Sequence, residues 1–206
     1  MLRRTAICGK LTGMGINLRA AFQNLGRSLG KSNEANSRED VNTGSKSMVL
    51  LLRQPSFLTL ERLREAGSQV FGAPFSDDQR DTHCVVQRAM ITSMVAEPHK
   101  ISFLHYSRPY GDSPEHSREF GRAMATESQR QAWAEHNAWT AVVYVAGIVE
   151  FDLAHALLAR LCAQVVDDNC AGVYMPGGRV FIPNDGSLLP ALEQLGSAGP
   201  AIWRWN

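Results

Sequence analysis

The sequence predicts an α+β fold, with a mixed, mainly antiparallel sheet and helices packed on one side of it. Three observations indicate this class. Short apolar runs typical of buried strands alternate with amphipathic helical patterns, and turn residues separate the paired strands. The order strand, helix, strand, strand also occurs twice along the chain, which is typical of a layered domain.

The first half contains four predicted elements. These are strands at 49–53, 84–95 and 99–107 and a helix at 58–72. The helix has apolar residues at helical spacing between Thr59, a suitable N-cap, and Gly72, which ends it. Glu97 and Pro98 provide the expected turn between the second and third strands.

The second half repeats this order. Its predicted elements are strands at 141–147, 170–175 and 179–183 and a helix at 151–168. An apolar stripe that includes Ala154, Leu158 and Leu161 marks the helix as amphipathic, and the sequence PGG at 176–178 predicts a hairpin between the last two strands. We therefore predict two β-α-β-β units in one sheet, as in a ferredoxin-like duplication.

A largely polar segment, residues 113–136, links the two halves and is predicted to form one helix. Ser113 is a suitable N-cap, and Pro114 fits the first helical position. Because the segment has few apolar residues, the helix is expected to lie across the surface, where it could cover a cleft.

The composition predicts a soluble globular protein and does not favour nucleic acid or membrane as a partner. Hydrophobic residues make up 44% and charged residues 20% of the chain, and the formal net charge is +1. No apolar run approaches the roughly 18–20 residues of a membrane span. The four cysteines show no CxxC pair and no zinc-type spacing, which indicates reduced thiols and a cytoplasmic location. No cofactor is predicted.

Residues 1–47 are expected to lie outside the folded domain, which is predicted to span 48–206 as a single unit. This leader has eight Lys or Arg residues against three acidic ones, and its polar second part cannot bury enough surface to fold alone. Three interpretations remain open: a targeting segment, a basic arm that contacts an acidic partner, or an over-extended gene start with Met48 as the true first residue.

The stretch WAEHNAW, the apolar strand that follows it, the Leu/Ala-rich helix and the GVYM strand resemble an uncharacterised bacterial domain family of unknown function. The matching positions are His136, Ala138, Gly172, Val173 and Tyr174, and the resemblance covers roughly 48–195. The family pattern often has a second histidine where this chain has Trp139, which weakens an inherited metal site. The resemblance implies a stand-alone cytoplasmic domain and brings no established activity.

His136 is the first candidate for a functional residue. Histidine titrates near neutral pH, so at the edge of a cleft it could act as a general base or a ligand. The alternative is structural, because a histidine at the C-terminal end of a helix can bond a free backbone carbonyl.

His105 and Asp112 are the candidate catalytic partners of His136. Both lie at or after the end of a predicted strand, where functional residues often collect. His99 lies on the same face as His105 but about 20 Å away along the strand, so the two cannot bind one metal. No metal site is predicted.

We expect a non-catalytic module that binds a protein partner or a small ligand between the two halves and the linking helix. The residues expected to contact the ligand are Arg108, Tyr106, Trp133 and Trp139. The sequence has no HExxH motif, nucleophile elbow or phosphate loop. The alternative is a small hydrolase or metal-dependent enzyme that uses His136 with His105 or Asp112, so the sequence leaves open whether the protein is an enzyme.

Overall fold

The computed structural model describes residues 46–56, 58–88, 91–111, 113–122, 124–147 and 151–197. The leader predicted at 1–47 therefore lies outside the described residues, apart from its last two positions. The end of the predicted domain, 198–206, also lies outside them, and so does Asp112. Whether residues 48–206 form one domain stays a prediction.

Seven strands and five helices are present in the described residues. In chain order they are β1 (Ser47–Leu52), α1 (Leu60–Phe71), β2 (His83–Arg88), β3 (Ile91–Ala96), β4 (His99–Tyr106), α2 (Pro114–Arg122), α3 (Glu127–Glu135), β5 (Ala138–Ala146), α4 (Phe151–Val165), β6 (Cys170–Met175), β7 (Val180–Pro183) and α5 (Leu188–Ser197). The strands form one sheet in the order β2-β3-β4-β5-β1-β6-β7, and each neighbouring pair is antiparallel. The predicted α+β class is confirmed. None of the described helices combines the length and apolar character needed to cross a membrane.

The two central strands of the sheet, β1 and β5, are each followed along the chain by a helix. After each helix the chain returns to the sheet beside the other central strand. From β1 the chain passes through α1, β2 and β3 and returns in β4 next to β5. From β5 it passes through α4 and returns in β6 next to β1. This is a split β-α-β connectivity. The halves differ at the sheet edges, where β2 and β3 extend one side and β7 the other, and a duplication of the halves stays a prediction.

The strand predicted at 84–95 corresponds to two strands in the structure, β2 and β3. β2 and β3 pair antiparallel, with His83 opposite Ala96 and Arg88 opposite Ile91. The sequence RAMI at 88–91 contains no Gly, Pro, Asn or Asp. The residues that usually signal a tight hairpin turn are therefore absent, and the prediction continued one strand through the reversal.

The linking segment forms two helices, α2 and α3, where one was predicted. Thr126 begins the second helix, because its hydroxyl accepts the N–H of Gln129 at 3.1 Å while the Gln129 side chain accepts the Thr126 N–H at 3.1 Å. This reciprocal capping box satisfies two free donors and fixes a new helix start. The predicted cap at Ser113 is confirmed, since its hydroxyl accepts the N–H of His116 at 3.1 Å.

One face of the sheet packs against α1, α4 and α5 around the main hydrophobic core. Leu63 of α1 and Leu158 of α4 are buried there with Phe103 of β4. Helix α5 was not predicted, and it contributes the buried residues Leu188 and Leu192. Each such side chain stabilises the fold by about 1.5–3 kcal/mol through removal of apolar surface from water.

Helices α2 and α3 pack on the opposite face, at the β6–β7 end of the sheet. Because side chains alternate along a strand, Tyr174 and Phe181 point away from the main core, to which Val173 and Ile182 belong. Trp133 of α3 contacts both aromatic rings, with centroid distances of 5.7 Å to Tyr174 and 5.4 Å to Phe181. The predicted helices α1 and α4 therefore lie on one side of the sheet as expected, and α5 joins them there. Helices α2 and α3 lie on the other face, where Trp133 is buried.

Replacing Gly172 of β6 by alanine is expected to destabilise the fold by about 1–3 kcal/mol. A Cβ at this position would lie 2.5 Å from the Ile182 carbonyl oxygen and 2.5 Å from the Phe181 ring, so β7 would have to move. Urea unfolding followed by circular dichroism measures the loss. A change below about 0.5 kcal/mol, as surface substitutions usually give, would contradict this close packing of β6 and β7.

Candidate functional site

An aromatic cluster joins α2 and α3 to the sheet, with Trp133 at its centre. The side chain of Trp133 is 3% exposed. The rings that contact it are those of Tyr110, Phe120, His136, Tyr174 and Phe181. Its indole N–H also donates to the Ser117 carbonyl at 2.8 Å. Trp133 therefore anchors α2 to α3 as well as α3 to the sheet.

His136 ends α3 with both ring nitrogens bonded to the backbone. Its Nε2 accepts the N–H of Tyr110 at 2.9 Å, and its Nδ1–H donates to the Trp133 carbonyl. Because Nε2 accepts, the neutral ring carries its proton on Nδ1. Burial lowers the pKa of His136, and the bond to the Trp133 carbonyl offsets part of this effect. The geometry supports the structural interpretation, because the ring bonds the Trp133 carbonyl at the end of α3.

A pocket of about 650 Å³ opens between α2 and α3, beside this cluster. Gly121, Trp133 and His136 line its inner part. The lack of a side chain at Gly121 brings α2 close to α3, since a Cβ there would lie 2.5 Å from Cδ1 of Trp133. The pocket volume falls within the range of roughly 300–1,000 Å³ that small-molecule sites occupy.

Three arginines also line the pocket: Arg118 and Arg122 from α2 and Arg130 from α3. Arg118 donates to Glu115 at 3.2 Å, and Arg130 donates to Glu127 at 2.8 and 3.1 Å. Both are solvent-exposed pairs between helix neighbours, which contribute little to stability. Arg122 makes no ion pair with any carboxylate of the described residues. The pocket therefore combines arginines, of which Arg118 and Arg122 are exposed, with the buried ring of Trp133.

His105 lies on the opposite face of the sheet, the face that packs against the main core. Its Nδ1 is 2.8 Å from the Thr140 hydroxyl, and burial lowers its pKa. His105 and His136 therefore do not share a site, and Asp112 lies outside the described residues. The geometry does not bring the predicted catalytic residues together, and the enzyme interpretation stays a prediction.

Of the four residues predicted to contact a ligand, Trp133 lines the pocket, and the other three form a stack outside its walls that joins the Trp133 cluster through the ring of Tyr110. The rings of Tyr106 and Trp139 lie parallel with centroids 4.1 Å apart. The guanidinium of Arg108 lies 5.9 Å from the Tyr106 ring centroid, within cation–π range. This stack covers the ends of β4 and β5 and does not contribute to the pocket walls.

The described residues contain no group of three or more His, Cys, Asp or Glu side chains placed to hold a metal ion. Cys162 and Cys170 are buried in the main core. Burial raises the pKa of both thiols, that of Cys170 to about 12. Neither is therefore activated as a nucleophile, because the thiolate is the reactive form.

The arginines of the pocket were not predicted as site residues, although a weak signal is present. Ser117 and Gly121 are small residues four positions apart, and Arg118 and Arg122 each follow one of them. Helical residues four apart are neighbours on one face, so α2 carries a row of small residues beside a row of cations. The pattern indicates a pocket only when the packing partner, Trp133, is also known.

The chain matches no protein-family model, and no curated protein and no solved structure was found to match it. Fold and site together define an α+β domain with an antiparallel sheet and an arginine-rimmed pocket over an aromatic cluster. The resemblance to a bacterial family of unknown function stays a prediction.

Proposed function

We propose that the protein is a binding module that holds a small molecule in the pocket between α2 and α3. The observation that supports this most is the pocket itself, a concavity of about 650 Å³ with Trp133 at its base and polar groups at its rim. Small-molecule sites usually combine apolar walls with a few polar groups that fix orientation. A protein partner, the other expectation from the sequence, would need about 800 Å² on each side and typically a flatter surface.

Filling the pocket is expected to abolish binding without unfolding the protein. Ala134 lines the pocket and is exposed, so Ala134→Phe adds a ring to the cavity without a clash in the core. The full-length protein would be screened by thermal shift against a library of small organic acids, amides and amines. A compound at about 100 times its Kd stabilises the folded state by about 2.7 kcal/mol, a shift of roughly 5–10 °C. This shift is expected to disappear in Ala134→Phe.

Leu189→Phe is the matched control, because it also places a phenylalanine at an exposed helical position, on α5. Leu189 is 44% exposed and lies on the other side of the sheet. The control is expected to keep every shift of the wild type. Equal shifts in Ala134→Phe would place the ligand elsewhere, and a library without any hit would favour a protein partner.

We also infer a cytoplasmic location. Cys84, Cys162 and Cys170 are buried as free thiols in the described residues. Free buried thiols without a disulfide are typical of proteins in a reducing compartment.

A further inference from the structure

The arginines around the pocket differ in how their charge is balanced. Arg118 and Arg130 each have a glutamate partner one helical turn away, Glu115 and Glu127. Arg122 has no carboxylate partner among the residues that the structure describes. Of the three arginine charges at the pocket, that of Arg122 is therefore the one that no carboxylate of the described residues holds in an ion pair.

The position of Arg122 suits a ligand that has an anionic group near the arginines and an apolar body against the rest of the pocket wall. Arg118 and Arg122 lie one turn apart on α2, so both can reach the same group from one side. Arg130 lies across the pocket on α3. The pocket is also lined by Trp133, which is buried, and by Ala134, which is exposed, and both offer apolar surface.

We infer that the pocket takes a small monocarboxylic acid with a ring-containing apolar body, its carboxylate held by Arg122 with Arg118 and its ring placed against Trp133. This inference rests on the proposed function and names its ligand class. A guanidinium matches the two oxygens of a carboxylate with two parallel N–H donors. One arginine without an ion pair among the described residues suits one negative charge, and Glu127, which also lines the pocket, disfavours a dianion such as a phosphate monoester.

Three probes with one shared ring system test the charge requirement: a naphthoate, the neutral naphthamide and a naphthyl phosphate. Isothermal titration calorimetry of the full-length protein measures the Kd of each. The naphthoate is expected to bind about tenfold or more tightly than the amide, because a hydrogen bond to a charged group is worth more than one between neutral groups. Equal binding of acid and amide would overturn the inference, and tighter binding of the phosphate would overturn the choice of a carboxylate.

Arg122→Gln tests the residue. This variant is expected to lose the preference for the acid over the amide, while its affinity for the amide stays unchanged. Arg122→Lys is expected to keep part of that preference. Arg64→Gln removes the same charge from α1, on the other side of the sheet, and is expected to bind like the wild type. An unchanged preference in Arg122→Gln would overturn the inference. If none of the three probes binds but the screen yields other compounds that Ala134→Phe excludes, the ligand class is wrong while the proposed function stands.

Discussion

Replacing Trp133 by alanine is expected to lower the free energy of unfolding by about 3–5 kcal/mol. The indole is 3% exposed, and its removal would leave a cavity between α2, α3 and the sheet. The rings of Tyr110, Tyr174 and Phe181 meet it nearly edge-to-face, with interplanar angles of 86°, 89° and 90°. Each such pair adds about 0.5–1.5 kcal/mol beyond the burial of surface. Urea unfolding followed by far-ultraviolet circular dichroism measures the loss.

Trp133→Phe separates ring packing from the hydrogen bond. Phenylalanine keeps much of the aromatic contact but removes the N–H that donates to the Ser117 carbonyl. We expect a smaller loss, about 1–3 kcal/mol, with faster tryptic cleavage after Arg118 and Arg122, because α2 loses its anchor. A loss below about 1 kcal/mol in the alanine variant would show that Trp133 does not hold the two helices on the sheet.

The parts of the fold that were predicted correctly are those with a local physical signal. Thr59 accepts the N–H of Arg62 at 3.2 Å and Gly72 adopts φ 70°, so both ends of α1 lie where the capping residues placed them. The stripe of α4 is buried as its spacing predicts. Single residues or one helix face carry such signals, so the sequence alone is enough to predict these helices and their ends.

The errors occur where the local signal was weak or was overlooked. The sequence between β2 and β3 has no glycine or proline to signal a turn, and β3 pairs with β2 on one side and with β4 on the other. Thr126 and Gln129 formed a readable capping box that was treated as the interior of one helix. Helix α5 contains Pro190 in its first turn, where a proline is tolerated because the first N–H groups have no helical partner.

The candidate site could be predicted only in part, because it forms between two elements. Trp133 and His136 were predicted from their place before a buried strand, and both line the pocket. Arg122 lies eleven positions before Trp133, and only the antiparallel return of α3 on α2 brings the two to one cavity. Tyr106 and Trp139 were expected at the same site, but they stack on each other outside the pocket walls and reach Trp133 only through the ring of Tyr110.

Acidification is expected to destabilise the protein below about pH 6.5, the ordinary pKa of histidine. Burial lowers the pKa of both His136 and His105 in the folded state. As the pH falls from about 6.5 toward those lowered values, the unfolded chain binds protons at both residues while the folded protein does not, so the free energy of unfolding decreases. Above about pH 6.5 both states are neutral and the two residues contribute no pH dependence. Each histidine adds a slope of up to about 1.4 kcal/mol per pH unit within the window.

His136→Gln isolates the share of His136, because glutamine offers a donor and an acceptor but does not titrate. Urea unfolding at about pH 7 and about pH 5.5 is expected to show a slope reduced by up to about 1.4 kcal/mol per pH unit. His116→Gln makes the same change at an exposed position of α2 and is the matched control. If His136→Gln and the wild type lose stability equally on acidification, the ring of His136 is protonated as easily in the folded protein as in the unfolded chain. In that case His136 would not be a neutral ring that accepts the Tyr110 N–H at the end of α3. A basic His136 beside the pocket would then again be a candidate for catalysis.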